Sequence, residues 1–537
     1  MKKIFLSVLI LSTLALSSCS FIPILISSST PAPAGSSLEP LSSSAKPASY
    51  VPSTYENLVK NSVYYESAIP TSTQKSKYLV LPVWFTDSEY LIKDGEDKPS
   101  IHSKITTAFS GSEEETGWNS VRTYYEAESN GKKSFDFTIG DWYDVGIDSS
   151  GIAGDQNDER VAQETEAIIK NAVKNYFNNN PSDDRKNYDS DGDGYIDALA
   201  VIYAVQNYTS DFNFERYYRK RPGSSFTNLW AYVYWLQDPS QQNVNKPGAN
   251  AYLWASYDFS NVSSKNVRDY PVKVDAHAYI HETGHLFGLD DYYDYTGDNK
   301  PAGGFSMQDY NVGMHDPYSI LSLGWGGDIK VPTETSTITI NKFTSSHDVI
   351  ILSPEYQDSV FDEYLLLELY SPDGLNELDS SYKYEGKAPQ GPKTPGIRLW
   401  HIDARLAYKL GRGYDYDYSE AQISNKIDTQ YYYNMLCRNN TYTSGKGSDY
   451  FSPLAQVKHY AQYRLLELIR NGDYLKFRKK NDLDTQDLFL EGDSFNMSTY
   501  RNWFVETGRL DSGKELGWSF TVDAITSETA TITVTKL

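Results

Sequence analysis

The stretch that decides the fold runs from His281 to Asp291 and reads HETGHLFGLDD. Residues four apart on a helix lie on one face, so His281 and His285 can hold the same metal ion. A catalytic zinc ion takes about three protein ligands and keeps a further position open. Gly288 can adopt a left-handed conformation and turn the chain, which brings Asp291 to the ion opposite the histidines. The stretch therefore predicts a helix that carries a zinc site.

Glu282 follows the first histidine, and its carboxylate can reach a water molecule on the zinc ion. Zinc lowers the pKa of such water, so Glu282 can take its proton as general base and pass it to a leaving amine. The alternative is a helix with two ordinary buried histidines. With 8 histidines in 537 residues, chance gives about 0.006 copies of H-E-x-x-H, and we therefore expect hydrolysis of peptide bonds.

Other residues near the motif could complete the metal site. The third ligand could come from one of three alternatives to Asp291: Asp290, Asp294 or His315. A glutamate on a following helix fits poorly, because no glutamate occurs between Glu282 and Glu334. His277 lies on the same helix face, but about 12 Å of helix rise separates it from His285, too far for a shared ion. We expect His277 to cap a neighbour or to line the cleft.

The pattern H-E-x-x-H-x-x-G-x-x-D resembles the metzincin motif in its variant with aspartate as third ligand. That resemblance implies a methionine turn below the metal, and FSMQDY supplies Met307. The developing oxyanion needs a stabilising group, and Tyr310, three residues after Met307, is the candidate. Many metzincins place this tyrosine two residues after the methionine, so other tyrosines remain open: Tyr292, Tyr293 and Tyr295.

A second metal-binding pattern is DSDGDGYID, which ends at Asp197. It has carboxylates at positions one, three, five and nine of a calcium loop and a glycine at position six, and such oxygen ligands suit calcium. The predicted ligands are the side chains of Asp189, Asp191, Asp193 and Asp197 and the carbonyl group of Tyr195. Position twelve is Ala200 where an EF-hand has glutamate, so the loop leads directly into a strand. A solvated acidic turn is the alternative.

Strand and helix patterns alternate before the zinc motif. Strand-like runs are KYLVLPVWF (77–85), SFDFTI (134–139) and DALAVIYAV (197–205), and helix-like runs are NSVRTYYEAESNGK (119–132) and 160–177. After Trp325, turn-bounded apolar runs predict strands, interrupted by one helix in YAQYRLLELIRNG (460–472). We predict an α+β chain: a metzincin-like zinc-peptidase domain with a mixed sheet and an active-site helix at 53–330, and a β-rich, sandwich-like region at 331–537.

The N-terminus indicates the compartment. Two lysines precede an apolar run that ends in LSSC at Cys19, which resembles the lipobox of bacterial lipoproteins. Residues 1–18 would be the signal peptide, Cys19 would carry the lipid, and the Ser/Pro-rich residues 19–52 would form a tether. Apolar residues continue past the cysteine, so an uncleaved anchor at 4–26 is the alternative. Both interpretations place the protein on the extracellular face of the bacterial cell membrane.

The net charge and the cysteine content argue against a nucleic-acid partner and against structural disulfide bonds. The net charge of −22 repels phosphate groups, so we expect no nucleic-acid partner. Cys437 has no partner once Cys19 is lipidated, so the fold does not depend on disulfide bonds. We expect a monomer that acts on proteins or peptides.

Several segments together resemble the immune inhibitor A family of secreted bacterial metallopeptidases. They are YLVLPVWFTD, SVRTYYEAESNGK, DSDGDGYIDALAVIYA, HETGHLFGLDDYY, FSMQDYNVGMHDPYSILSLGW, EYLLLELY and PGIRLWHID. The resemblance implies a zinc endopeptidase that calcium stabilises and that acts on extracellular proteins, with ligand and base roles for His281, Glu282, His285 and Asp291. Two features depart from the family: GGFSM lacks the tryptophan often found before the turn methionine, and this chain has a tether. The competing hypothesis is a surface adhesin or glycan-binding lipoprotein, which would not need Glu282.

Overall fold

The structure is a computed structural model that describes residues 49–63, 66–262, 269–294, 300–384, 389–412, 422–439, 463–472, 474, 482–506 and 508–537. Three parts of the sequence interpretation lie outside these residues: the signal peptide with Cys19, most of the tether, and Tyr295. Among the described residues, none of the helices has the length and apolarity needed to cross a membrane.

The elements before residue 330 alternate between strands and helices. In chain order they are β1 (Tyr50–Val51), α1 (Tyr55–Lys60), β2 (Lys75–Trp84), α2 (Lys98–Ser110), α3 (Glu113–Thr116), α4 (Val121–Glu128), β3 (Ser134–Ile139), β4 (Tyr143–Asp144), α5 (Glu159–Asn179), β5 (Ala198–Tyr203), α6 (Phe214–Tyr217), β6 (Ala231–Trp235), β7 (Ala251–Ser256), α7 (His277–Leu286), α8 (Met307–Tyr310), α9 (Pro317–Ser322) and β8 (Ile329–Lys330). Capping explains where the two sequence-predicted helices begin. The side chain of Ser120 caps α4, and that of Asp158 caps α5.

A mixed sheet forms the centre of this half, with strand order β3-β2-β5-β7-β6 and β4 beside the end of β2. β2, β3, β5 and β7 run parallel, and β6 runs antiparallel to β7. Successive side chains of a strand point to opposite faces. Leu81 of β2 shares an apolar core with Ile168 of α5, whereas Tyr78 shares another core with Ile280 of α7. Helices therefore cover both faces, and α7 lies against one of them.

The elements after residue 330 are mostly strands. In chain order they are β9 (Ser336–Asn341), α10 (Phe343–Ser346), β10 (Val349–Leu352), β11 (Glu363–Tyr370), α11 (Glu377–Ser381), β12 (Gly396–Asp403), β13 (Leu406–Lys409), β14 (Gln422–Ser424), β15 (Ile427–Asp428), β16 (Tyr432–Met435), β17 (Leu466–Ile469), β18 (Ser494–Asn496), β19 (Trp518–Ile525) and β20 (Thr529–Lys536). Two sheets, ordered β17-β12-β11-β10-β8 and β18-β19-β20-β9, enclose a core with Leu367, Leu399 and Phe520. The mixed α/β composition with a β-rich C-terminal part agrees with the sequence prediction.

One predicted helix is wrong. The sequence favoured a helix in residues 460–472, but residues 466–469 form β17, in which Leu468 pairs antiparallel with Trp400 of β12. A short apolar run such as LLELI fits a helix and a buried strand equally well. Pairing with β12 and burial of all four residues of β17 favour the strand.

Regular structure begins earlier than the first strand expected near Lys77. β1 pairs antiparallel with β15, and Tyr50 lies opposite Asp428. α1 follows, with the side chain of Thr54 as its N-terminal cap and Tyr55 buried. The last residues of the predicted tether are therefore part of the fold.

The largest apolar core extends across residue 330, the boundary expected between the two regions. It contains Ile280 and Phe305 from the first region and Leu468 from the second. The backbone N–H group of Leu468 also donates a hydrogen bond to the carbonyl oxygen of Pro301 over 2.7 Å. The β-rich region thus packs directly against the loop that leads into α8.

Candidate metal and catalytic centre

α7 carries the predicted zinc motif and is buried along its whole length. It packs against β6 and β7, where Ile280 and Leu286 contribute to the core. Gly288 follows the helix with a φ of +98°, a conformation that other residue types rarely adopt. The turn at Gly288 directs the chain back, so that Asp291 faces the two histidines.

Three side-chain atoms converge beside α7. Nε2 of His281 lies 3.1 Å from Nε2 of His285, and Oδ1 of Asp291 lies 3.1 Å and 3.2 Å from these two nitrogens. Ligands held about 2.0–2.1 Å from a tetrahedral zinc ion are about 3.3 Å apart. The triangle formed by the three atoms therefore has nearly the dimensions that zinc requires.

Backbone carbonyl groups fix the orientation of both imidazoles. Nδ1 of His281 donates a hydrogen bond to the carbonyl oxygen of Met307 over 2.7 Å, and Nδ1 of His285 donates one to that of Leu289 over 2.7 Å. A neutral imidazole that donates at Nδ1 presents a lone pair at Nε2. Two such lone pairs and a carboxylate oxygen repel one another at 3.1 Å unless a cation lies between them. The donor set therefore fits a metal ion.

The charges at the centre lead to the same conclusion. Oδ1 of Asp291 is buried and accepts no hydrogen bond from the residues that the structure describes. Burial alone would raise the pKa of Asp291, but the neighbouring His285 and His281 hold it below its usual value. Burial would likewise lower the pKa of His285, and the Asp291 carboxylate instead raises it to about 9. The centre thus favours added positive charge.

Glu282 is buried on α7 immediately after the first histidine, with 1% of its surface exposed. Its charge is among the causes that raise the pKa of His285, after the larger effect of Asp291. The site therefore combines three metal-binding side chains with an adjacent carboxylate that belongs to none of the three.

Three buried polar side chains, those of Glu128, His315 and Gln308, form a polar chain that reaches His285 on α7. Nδ1 of His315 lies 2.7 Å from Oε2 of Glu128, and its Nε2 lies 3.0 Å from Oε1 of Gln308. The amide nitrogen of Gln308 lies 3.3 Å from Nδ1 of His285. A Cβ atom at Gly284 would overlap Oε1 of Gln308, so glycine is the residue that allows this close approach.

The alternative third ligands have other partners. Asp290 forms an ion pair with Arg438 at 3.2 Å, and Asp294 forms one with Arg464 at 3.5 Å. His315 pairs with Glu128, as described above. Among the residues near the motif, the structure places Asp291 against both histidines.

Residues 102–311 match the family described as immune inhibitor A peptidase M6, catalytic domain. The chain contains a peptidase M6 domain of the immune inhibitor A family. This family is zinc-dependent, and the matched residues include the whole of α7 and the three convergent side chains. No curated protein matched the chain in a sequence comparison. The M6 domain is therefore a metallopeptidase domain.

The tyrosines of the M6 domain differ in how near they lie to the metal ligands. The hydroxyl group of Tyr293 donates to Oδ2 of Asp291 over 2.8 Å. Tyr292 is instead bonded to Ser319 at 2.8 Å. The ring of Tyr310, the sequence candidate for the oxyanion, lies 4.4 Å below the ammonium group of Lys300. The structure thus brings the hydroxyl group of Tyr293 to a proposed metal ligand, a contact that the spacing of tyrosines from Met307 did not indicate.

The acidic loop of the M6 domain brings together part of the predicted calcium site. Carboxylate oxygens of Asp189, Asp191 and Asp197 lie within 4.8 Å of one another. Asp193 is not in this group, although its charge interacts with Asp191 and Asp189, and its carboxylate accepts a hydrogen bond from the backbone N–H group of Tyr195 over 2.8 Å. Burial, with added repulsion from Asp191, raises the pKa of Asp197 to about 7.

Two further contacts define this loop. Nζ of Lys60 in α1 lies 2.7 Å from Oδ2 of Asp191, so an ammonium group already contacts the acidic cluster. Gly194 has a φ of +91°, and β5 begins at Ala198 directly after the loop. Tyr195 forms a β-bridge with Gly248, an interaction that its position in the sequence did not indicate.

His277, the first residue of α7, is surrounded by two aromatic rings and two carboxylates, which the sequence did not reveal. Its ring stacks between Trp118 and Tyr384, with centroid distances of 3.9 Å and 4.2 Å. Nδ1 lies 2.8 Å from Asp275, and Nε2 lies 3.6 Å from Asp379. Burial would lower the pKa of His277, but the two carboxylates raise it to about 9. Asp275 is close in sequence, whereas Asp379 comes from the β-rich region.

Proposed function

We propose that the protein is a zinc metalloendopeptidase that hydrolyses peptide bonds of extracellular proteins. The observation that carries this proposal is the convergence of His281, His285 and Asp291 at 3.1–3.2 Å beside Glu282. The M6 match supports the class of reaction, and the specific roles of the side chains follow from their positions on α7.

Each residue at this centre has a separate task in the proposed reaction. His281, His285 and Asp291 would hold the zinc ion, which would supply the Lewis acidity that polarises a substrate carbonyl and acidifies water. Glu282 takes the proton of the attacking water and later delivers it to the leaving amine. Hydrogen bonds from Nδ1 of both histidines to backbone carbonyl groups fix the imidazole rings with Nε2 turned toward the metal position.

The metzincin-like architecture is part of the proposal. A methionine turn is expected below the metal, and the carbonyl oxygen of Met307 accepts the hydrogen bond of His281. Met307 is fully buried in the same core as Ile280. We also propose that Tyr293 supports the site through Asp291, in preference to a direct oxyanion role for Tyr310.

Calcium is proposed for the acidic loop, with Asp189, Asp191 and Asp197 as the side-chain ligands. Oδ1 of Asp189 is buried and has no hydrogen-bond partner among the described residues. Lys60 would have to share or leave Asp191 when calcium binds. The expected effect is on stability, because this loop leads directly into the central strand β5.

The location is proposed from the sequence alone. Lipidation of Cys19 after removal of residues 1–18 would anchor a monomer to the extracellular face of the bacterial cell membrane. Residues 53–330 would then form the catalytic domain and residues 331–537 a β-rich region that packs against it.

The test compares two variants that remove different functions. Glu282→Gln should keep bound zinc and lose cleavage of casein, because the ligands remain while the base is lost. Asp291→Ala should lose zinc, and Asp290→Asn is the matched control because Asp290 pairs with Arg438 instead. Zinc content is measured by mass spectrometry beside the cleavage rate. Wild-type rates in Glu282→Gln, or full zinc occupancy in Asp291→Ala, would show that these roles are wrong.

A further inference from the structure

Three side chains of the β-rich region converge in a second cluster, far along the chain from α7. Glu363 and His401 lie on the neighbouring strands β11 and β12, and Asp511 lies in the turn before β19. One carboxylate oxygen of each acid and one imidazole nitrogen all lie within 4.8 Å of one another. Nε2 of His401 is 3.0 Å from Oε1 of Glu363, close to the separation of two ligands on one zinc ion. The cluster therefore offers one nitrogen and two oxygen donors.

The strand register explains why two of these side chains share one face of their sheet. His401 pairs with Leu365, and Glu363 precedes Leu365 by two residues. Side chains two apart on a strand, and those of directly paired residues, point to the same face. The backbone N–H groups of Asp511 and Ser512 donate hydrogen bonds to the two carboxylate oxygens of Glu363. These bonds hold the third side chain of the cluster beside the other two.

One oxygen of the cluster lacks a hydrogen-bond donor. Oδ1 of Asp511 is buried and accepts no hydrogen bond from any residue within the described ranges. Buried polar atoms are normally paired, and buried charges are paired or coordinate metals. Oδ1 of Asp291, a proposed zinc ligand, is buried and unpaired in the same way. The second cluster thus shares this feature with the centre on α7.

The charges at the cluster favour a divalent cation. Nη2 of Arg405 lies 4.0 Å from Oε2 of Glu363, but Nε and Nη2 of Arg405 bond to the two oxygens of Asp403 over 2.7 Å each. Asp403 therefore balances the charge of Arg405. Two negative charges remain on Glu363 and Asp511, and a divalent cation would balance them beside a neutral His401.

The types of donor indicate which cations fit. Zinc and related transition metals bind both imidazole nitrogen and carboxylate oxygen, whereas calcium and magnesium take oxygen ligands. Glu363 also lines a partly open cavity of about 270 Å³, which gives an ion a route from solvent to the cluster. The cluster is therefore suited to a transition metal that enters through this cavity.

We propose that Glu363, His401 and Asp511 form a second metal site, which binds zinc or a similar divalent transition-metal ion. Glu363 and His401 belong to the five-stranded sheet, and Asp511 leads into β19 of the four-stranded sheet. The ion therefore cross-links the two sheets of the β-rich region and stabilises them. The proposal does not rest on the peptidase function.

The zinc content of the full chain tests the site. After loading with zinc and dialysis, wild type should hold about two zinc ions per chain, and Asp511→Asn and His401→Gln about one each. Asp291→Ala should lose the ion on α7 and keep about one, and Asp291→Ala/Asp511→Asn should keep about none. Glu355→Gln is the matched control, because Glu355 is exposed and lines the same cavity outside the cluster, and it should retain both ions. Equal zinc content in wild type, Asp511→Asn and His401→Gln would overturn the proposal and leave His401 as an imidazolium held by two carboxylates.

A second measurement identifies the ligands without any change to the cluster. X-ray absorption at the zinc edge of Asp291→Ala should show one imidazole and oxygen ligands around the remaining ion, whereas two imidazoles would assign that ion to α7 and reject the second site. Zinc should also raise the melting temperature of Asp291→Ala, and adding Asp511→Asn should abolish the rise. If Asp291→Ala kept the zinc content of wild type while Asp511→Asn lost an ion, the centre on α7 would be rejected and the second site retained.

Discussion

The hydroxyl group of Tyr293 donates a hydrogen bond to Oδ2 of Asp291, while Oδ1 of the same carboxylate faces the two histidines. The bond fixes which oxygen is turned toward the metal. Tyr293→Phe should therefore weaken zinc binding about tenfold, since removing a partner of a metal ligand usually costs ten- to a hundredfold in affinity or activity. Competition with a chelator measures the affinity.

Tyr310→Phe is the control for that substitution. The ring of Tyr310 lies against the ammonium group of Lys300, so the zinc affinity of Tyr310→Phe should equal that of wild type. A large loss of kcat/KM in Tyr310→Phe with unchanged zinc affinity would restore Tyr310 as the oxyanion group. Unchanged zinc binding in Tyr293→Phe would show that Asp291 does not need this support.

Gly284→Ala should destabilise the protein by about 1–3 kcal/mol, the usual effect of an added group in a packed interior. The new Cβ would overlap Oε1 of Gln308 and lie 3.1 Å from Nε2 of His315. Displacement of Gln308 should also disturb its contact with His285 and lower the rate of cleavage. Thermal unfolding of the zinc-loaded protein measures the first effect.

A second substitution identifies the cause of that loss. Gln308→Ala removes the obstructing amide, so the double variant Gly284→Ala/Gln308→Ala should be more stable than the sum of the two single changes predicts. Strict additivity would mean that the added methyl group at position 284 does not press on Gln308. The polar chain would then not be the reason for glycine at this position.

The pH dependence of stability should report His277. The folded protein holds the pKa of His277 at about 9, above the ordinary value of 6.5, so the protonated form is the one that the fold favours. This contribution is complete below about pH 6.5 and is lost as the pH rises through 9. It amounts to at most about 3 kcal/mol. His277→Gln should therefore melt well below wild type at pH 6 and approach it at pH 10.

Wild type must be compared with His277→Gln at each pH, because other histidines also have pKa values near 9. His401, beside Glu363 and Asp511, also has its pKa raised to about 9, against the effect of burial. The wild-type curve contains the contributions of His401, of His277 and of His285, whose pKa the Asp291 carboxylate also raises to about 9, whereas the difference between wild type and His277→Gln isolates that of His277. A difference that does not vary with pH would mean that His277 is neutral in the folded protein.

Calcium should raise the melting temperature through the acidic loop. Asp191→Asn should abolish that rise, because its carboxylate belongs to the group within 4.8 Å. Asp193→Asn should preserve most of it, because the carboxylate of Asp193 lies outside that group. Melting curves with calcium and with a calcium chelator measure both. An equal loss in the two variants would support the five-ligand arrangement read from the sequence.

The sequence was sufficient for those parts of the site in which the spacing along one element determines the geometry. The two histidines on α7 and the turn at Gly288 follow from helix period and glycine conformation, so the convergence of three ligands could be expected. Contacts between residues that are far apart in the sequence could not be expected in this way. Glu128 meets His315, and Asp379 meets His277, only because the β-rich region and α4 fold onto α7.

The same distinction applies to the fold. β2 and β5 are continuous apolar runs, and α5 has a clear apolar stripe, so each was recognisable alone. β17 was mistaken for a helix because its identity depends on pairing with β12 rather than on its own residues. The weakly patterned α1 is ordered by packing of Tyr55 in the main core, which local sequence does not encode.

The core that extends across residue 330 limits how such a protein can evolve. Because Leu468 packs in the same core as Phe305 and bonds to the loop that leads into α8, replacing the C-terminal half by an unrelated sequence would remove part of that core. A premature stop codon near that boundary would leave Phe305 and its neighbours facing water, and the product would be cleared as a misfolded fragment. The core around the metal-binding helix therefore needs residues from both sides of residue 330.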